Sequence, residues 1–471
     1  MSSQLTEQTR ISNFRLFINI FPALVASQLV FISAALINTL MAARVSTTAM
    51  AAIGLTGSIL WLFNSLGIGI LSVVLSRMGY VYGKEKYHLV GAIHRQAYYV
   101  IALASIAIAI LDILIATNLD LIGLEPELIA IGRPYLLLSC FSIPLMLFIT
   151  HLRNLNSCIA YTLPTLLLSL LSLCLIIPFN LIFMYGDLPL IGHNPGYSAF
   201  THIFTYIIYI SLMLLIIKYK KSVYGKLQLF NPLFAKPNKE QIKDILKVGI
   251  PVSIQYWLEN SFYGIVALSL AHLGTSVTAA HQSGANSYSA VYIFAAGASA
   301  SITSIASRRL GEQRRDLTKA ILHHTLALII CINVCIGIAI IVFRHQIAGA
   351  YIQNDPVALN LSQHVLICLA IANVFDGIYA CLLGYLIPYR DSRYTFLTTF
   401  TVSWLIYLPL ASMFAFTDWF FGIGNFGLYA YWVAFILIPM TTATSLYCRV
   451  HFKWNRMDDA TLYQKLAAYE K

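Results

Sequence analysis

Long apolar runs alternate with short polar breaks along almost the whole chain. Apolar windows of about 20 residues, the length that crosses the hydrocarbon core of a bilayer as a helix, lie at roughly 15–42, 49–77, 91–117, 129–150, 160–186, 198–218, 245–272, 277–306, 318–343, 358–388, 394–416 and 426–449. The pattern predicts twelve transmembrane helices. Several windows are longer than the core is thick, which calls for tilt or kinks; Pro22, Pro144, Pro178 and Pro251 are the candidate kink positions. The first apolar run is too long for the core of a signal peptide, so no cleavage is expected.

The polar breaks set the orientation. With the N-terminus inside, 27 of the 30 basic residues fall in inner segments, and only Arg44, Arg133 and Arg344 fall outside. This bias is the positive-inside pattern and places both termini in the cytoplasm. The stretch from Lys218 to Lys247, with Asn231-Pro232 and Lys236-Pro237, is the linker candidate. It divides the chain into an N-terminal six-helix lobe (1–219), a basic cytoplasmic linker (220–244), a C-terminal six-helix lobe (245–450) and a cytoplasmic tail (451–471). The expected fold is an all-α integral membrane protein, two six-helix lobes related by pseudo-two-fold symmetry.

Composition narrows the class. The chain is 59% hydrophobic and only 10% charged, with a mean hydropathy of +0.75; a soluble domain carries about 25% charged residues. No separate soluble domain fits. The net charge of +11 is accounted for by topology and by attraction to anionic lipid, so no nucleic-acid partner is called for. The eight cysteines lie in apolar segments or at their edges, with no CxxC or Cys/His metal spacing, and read as small hydrophobes.

The halves repeat at an offset of 228 residues: Ala43, Thr47, Ala51 and Ala52 match Ala271, Thr275, Ala279 and Ala280, while Gly69, Ser76 and Gly83 match Gly297, Ser304 and Gly311. An even number of spans per half makes the repeats parallel, a transporter signature with substrate between them near the midplane.

Ionisable groups at bilayer depth are costly, roughly 2.5–3.5 kcal/mol for an acid on insertion scales, and are functional by default. Glu259 sits in the seventh span, with Gln255 or Tyr256 one turn before it and Tyr263 one turn after. Asp376 sits in the tenth, flanked by Asn373 and Tyr379. Two acids on two helices of one lobe can bind one metal ion or share a proton; if close, they cannot both ionise without a cation. The plainer account is that each is neutral and hydrogen-bonded for packing. Gln282, Asn286 and Ser289 share a face of the eighth span, either lining a cavity or joining helices. His281 lies nearer its outer end. The N-terminal lobe has Gln28, Ala35 and Asn38 on one face of the first span and Asn180 after Pro178, with no midplane acid. Asp112 lies within two turns of the outer end of its span, where it reads as able to reach water. An aromatic cavity with a few carboxylates suits lipophilic cations.

The stretch Ile37 to Val45 resembles the V-D-T-x-M-A-G-x-V segment of the MATE (multidrug and toxic compound extrusion) family, in its NorM-like branch. Pro251 to Leu268 resembles the family's seventh span, with Glu259 at its acid, and Asp376 falls at the tenth-span acid. Ala280-His281-Gln282, Arg309 to Gln313, Tyr389 to Arg393 and Ile177 to Gly186 resemble further family segments, in the family's order and spacing. The resemblance covers nearly the whole chain. It implies export of diverse, often cationic, amphipathic compounds in exchange for Na+ or H+ by alternating access, with no cofactor and no enzymatic activity. Glu259 and Asp376 would hold the coupling cation, as metal ligands if it is Na+, with Gln282, Asn286 and Asn260 in support. The drug would sit near Asn38, Tyr256, Trp257, Tyr263 and Asn180. The family's first-span acid is Asn38 here, which cannot carry a proton, and the tyrosine some relatives place before the tenth-span acid is Ala372. A monomer in the inner membrane of a bacterium is expected.

Two rivals stand beside this reading. A lipid-linked precursor flippase of the same superfamily would want a basic central cavity, whereas the midplane charges here are acidic. A membrane-embedded prenyl transferase would want paired Asp-rich metal motifs; the only Asp-Asp pair is Asp458-Asp459, in the tail.

Overall fold

A backbone in lipid must satisfy its own N–H and C=O groups, so apolar runs of this length are expected to fold as helices. The structure, a computed structural model, describes residues 2–122, 124–187, 192–232, 235–352, 355–416 and 427–470. Its helices are α1 (Ser2–Val45), α2 (Thr47–Gly83), α3 (Tyr87–Thr117), α4 (Pro126–Ser139), α5 (Ser142–Cys158), α6 (Leu163–Phe183), α7 (Ala199–Tyr219), α8 (Lys221–Tyr224), α9 (Lys239–Ala271), α10 (Thr275–Gly311), α11 (Arg315–Val342), α12 (Arg344–Tyr351), α13 (Pro356–Leu386), α14 (Ser392–Phe400), α15 (Leu408–Phe416), α16 (Leu428–Arg449) and α17 (Asp459–Leu466). Among the described residues, ten stretches are long and apolar enough to cross a membrane, and α4 with α5 makes an eleventh if that bent pair is one span. The remaining expected span is α9, 33 residues long. Gln255, Glu259 and Asn260 lower its hydropathy below that of the other spans.

The sequence reads 129–150 as one span with a candidate kink at Pro144, and the structure breaks it there into α4 and α5, which meet at an angle of 50°. Pro144 has no N–H, and its ring collides with the carbonyl four residues back, that of Cys140, where the chain breaks. Pro22, Pro178 and Pro251 lie inside continuous helices. Between α14 and α15, residues Thr401–Tyr407 form a π-helix. Pro409 cannot donate to the Leu405 carbonyl, and the widened turn relieves the conflict.

The chain packs as two compact units, an N-terminal one of Ile18–Ser253 with Tyr469–Lys471 and a C-terminal one of Ile254–Ala468 with Met1–Phe17. The 228-residue offset reappears in the backbone. The ends of α2, Thr47 and Gly83, and those of α10, Thr275 and Gly311, are related by it, as are the starts of α3 and α11. So are the turn residues Glu85 and Gln313, which both have positive φ, 60° and 57°.

In the N-terminal unit, the segment read as a linker is bound along α3. Arg95 Nη1 donates to the Gln228 carbonyl at 2.7 Å, Gln96 Nε2 to that of Lys236 at 2.9 Å, and the Tyr99 hydroxyl to that of Ala235 at 2.7 Å. The compact unit accordingly runs through it to Ser253. The end of the tail belongs here too. Arg77 Nε donates to the Tyr469 carbonyl at 3.2 Å, the Tyr469 hydroxyl meets Ser76 at 3.1 Å, and Lys84 and Lys86 pair with Glu470.

In the C-terminal unit, Asp391 gathers the chain between α13 and α14. It accepts from Arg449 Nε at 2.9 Å, Arg449 Nη2 at 3.2 Å and the Trp454 indole at 2.8 Å. Burial opposes its charge, but Arg449, Trp454 and Lys453 hold the carboxyl below the usual aspartate range. A depressed carboxylate stabilises the fold above its unfolded pKa, and the contribution is lost as pH falls through the folded value. Asp391→Asn should therefore cost about 2 kcal/mol at neutral pH, read as a lower melting temperature in detergent. The gap from the native chain should close only on acidification below the ordinary aspartate range.

Candidate functional site: a carboxylate and tyrosine cluster

The C-terminal unit brings α9, α10, α13 and α14 together around the two intramembrane acids. On α9, helical spacing puts Gln255 one turn before Glu259, and Gln255 Nε2 donates to Glu259 Oε1 at 3.2 Å. The Tyr379 hydroxyl, from α13, donates to the same oxygen. Gln255 Nε2 also reaches the Tyr379 hydroxyl at 2.6 Å and Thr399 Oγ1, on α14, at 3.2 Å. Thr399 is the penultimate residue before the π-segment begins. Glu259 is half-buried while Gln255 and Tyr379 are fully or nearly fully buried, so the carboxyl is anchored from its inner side.

Asp376 takes a different partner. The Tyr288 hydroxyl on α10 donates to Asp376 Oδ2 at 2.9 Å. Tyr288 stacks on Tyr263 at 4.9 Å, and Tyr263 stacks on Phe435 at 4.6 Å, a ladder of rings ending at the carboxyl. His281 and Trp432 continue the aromatic wall around Phe435. Among the described residues, no group of three or more His, Cys, Asp or Glu is gathered to hold a metal ion.

The other residues singled out from the sequence lie as follows. Asn373 does not share a face with Tyr379 in use: it is buried and exchanges amide–carbonyl bonds with Asn333 of α11, at 2.8 and 3.3 Å. Asn260 Nδ2 donates to the Tyr256 carbonyl one turn back, at 2.7 Å. Gln282, Asn286 and Ser289 lie on the exposed face of α10, while Tyr288 and His281 lie on the face turned into the unit. Tyr256, Trp257 and Tyr263 are half-buried on α9. In the N-terminal unit, Asn180 Nδ2 donates to Asn38 Oδ1 at 3.0 Å and Thr201 Oγ1 to Asn180 Oδ1 at 2.7 Å. These form a buried amide network where the family's first-span acid would stand. Sequence reasoning passed over Tyr288, Thr399 and Phe435. A signal existed for Tyr288: His281, Tyr288 and Tyr292 recur at i, i+7 and i+11, a helical stripe.

The MatE family pattern matches residues 22–182 and again 251–413, once in each half. The chain belongs to the MatE family. It is a membrane transport protein and not an enzyme. Relatives of this MatE protein include a probable multidrug resistance protein NorM of Mannheimia succiniciproducens, 28% identical over 92% of each chain. Another is a multidrug resistance protein NorM of Vibrio vulnificus, 29% identical over 90% of this chain and 92% of the relative. The fold is that of the eukaryotic MATE transporter AtDTX14, with a TM-score of 0.84 at 14% identity over 98% of this chain and 99% of that one. It also matches an outward-facing multidrug resistance MATE transporter of the MOP superfamily, with a TM-score of 0.81 at 16% identity over 96% of each.

Proposed function

We propose that this MatE protein exports amphipathic, often cationic compounds across a bacterial inner membrane in exchange for Na+ or H+. The observation that carries the reading is the pair of intramembrane carboxyls, Glu259 held by Tyr379 and Gln255, and Asp376 held by Tyr288 beside the Tyr263–Phe435 ring stack. Hydroxyl and amide donors steady a carboxylate without neutralising it, so a cation completes the charge balance. Stacked rings next to acids suit an organic cation by burial and cation–π attraction. Gln282, Asn286 and Asn260 would support the cation, and Asn38, Asn180, Tyr256, Trp257 and Tyr263 would contribute to the drug cavity. The relatives that carry the multidrug resistance name support the substrate class. Cation and drug would favour opposite-facing states, each shifting the equilibrium by its differential affinity alone. The protein would act as a monomer.

The test uses proteoliposomes and a fluorescent organic cation, under a Na+ gradient alone and then a pH gradient alone. Transport under Na+ only makes the acids a Na+ site despite Ala372; transport under pH only makes them a proton-binding pair. Transport under neither overturns the exchange reading.

A further inference from the structure

The C-terminal acids are all partnered, but a third intramembrane acid is not. Asp112 of α3 is fully buried, and neither of its carboxyl oxygens has a hydrogen-bond partner. One turn on, Ala116 belongs to an apolar cluster with Ile53, Leu60, Tyr135 and Leu136. Ser105, two turns before Asp112 on the same face, is also buried with an unpartnered hydroxyl. A carboxylate left charged in such a place carries the full cost of desolvation with nothing to offset it.

The charged and titratable groups around it do not supply a counter-charge. α2 has no ionisable side chain from Thr47 to Ser76. On the α4 side, the thiol of Cys140 donates to the Leu136 carbonyl at 3.4 Å. Arg133 gives Nε to the Ala116 carbonyl at 3.0 Å and Nη2 to Asp120 at 2.5 Å. Tyr135, also on α4, is a neutral phenol in the same cluster. His94, Arg95, Tyr98 and Tyr99 of α3, His151 and Arg153 of α5, and Lys226 lie towards the other end of the unit, Tyr99 being roughly 20 Å along the helix by its rise.

We propose that Asp112 is a proton-binding site of the N-terminal unit, exchanging its proton towards the open pocket lined by Arg133 and Asp120. A proton removes the charge and needs no further ligands, whereas a metal ion needs several oxygens. The route is short. The Arg133 guanidinium bridges the Ala116 carbonyl, one turn from Asp112, to Asp120, and both charged residues line an open pocket of about 490 Å³ with Ile129 and Pro134. In the orientation set by the basic loops, that pocket faces outward. The site stands in the lobe whose first-span position is Asn38. Its role in exchange rests on the proposed function above, but its occupancy does not.

Occupancy is tested in the Glu259→Gln/Asp376→Asn background, so that the C-terminal acids are silent. Infrared spectra of the protein in lipid at neutral pH should contain a protonated-carboxyl stretch that disappears on adding Asp112→Asn. If that variant does not fold, carbodiimide labelling of the native chain, mapped by mass spectrometry, serves instead. An adduct at Asp112 that declines as external pH rises supports the proposal. A carboxylate spectrum at Asp112, or no adduct there at neutral pH, overturns it. Loss of cation-driven transport in the double variant with the Asp112 signal intact would separate the two readings.

Discussion

Export driven by either cation gradient is expected to fall to the level of empty vesicles in Glu259→Gln and in Asp376→Asn. The substituted amides keep size and hydrogen bonding but neither take up a proton nor balance Na+. The Tyr379 hydroxyl and the Gln255 amide would still find an oxygen at position 259, so the fold should survive and only the coupling should go. Tyr379→Phe separates the two roles. It removes a donor from Glu259 but leaves the carboxyl, which costs the charge-assisted bond, about 1.5–3 kcal/mol. The cation concentration for half-maximal export should shift by about tenfold or more, while transport persists. The measurement is uptake into proteoliposomes at graded Na+ and graded pH, each variant matched for protein content. Full export by the double variant Glu259→Gln/Asp376→Asn would end the claim that these acids couple the gradient.

A large loss of stability is expected on substituting Gly384, where α13 crosses α10. A Cβ there would lie 2.4 Å from the Ser299 carbonyl oxygen and 2.8 Å from Ile302 Cγ2. Side chains of Ile302 and Ser299 also stand close, but the nearest obstacle is backbone, which cannot rotate aside. The crossing is also pinned by Thr303 Oγ1, which donates to the Gly384 carbonyl at 2.8 Å. Lipid offers helices little hydrophobic reason to associate, so close backbone approach through small residues matters more here than in water. Gly384→Val should cost about 3 kcal/mol and lower both the melting temperature and the monodisperse yield in detergent. Gly264→Ala is the control: a Cβ there meets nothing within 4 Å, and no loss is expected.

Much of this architecture is legible in the sequence, for physical reasons that also mark where legibility stops. Apolar windows report lipid depth, so they find the helices; the 228-residue offset survives because the turn positions Glu85 and Gln313 impose the same backbone need in both halves. Glu259 and Asp376 stand out because charge is rare at that depth. Their partners do not. Tyr288 and Thr399 are ordinary residues by type, and only the packing of α10 and α14 against α13 brings Tyr288 to Asp376 and Thr399 to the Gln255 and Tyr379 that hold Glu259. Asn373 shows the converse: its spacing suggested the acid site, but α11 offered Asn333 instead. The basic segment after α7 looks like free linker because Lys and Pro are common in linkers, yet what α3 binds there is its carbonyls, which every sequence has.

The seat of the last residues bears on how the protein can be handled. Arg77 and Ser76 hold Tyr469, and Lys84 and Lys86 hold Glu470. A fluorescent protein or affinity tag joined there begins inside this ionic seat, where its bulk competes with the lysines. Immobilising the transporter through a tag at that point would pull on Glu470 and Tyr469, and a kinetic trace recorded that way would describe a transporter with this segment unseated.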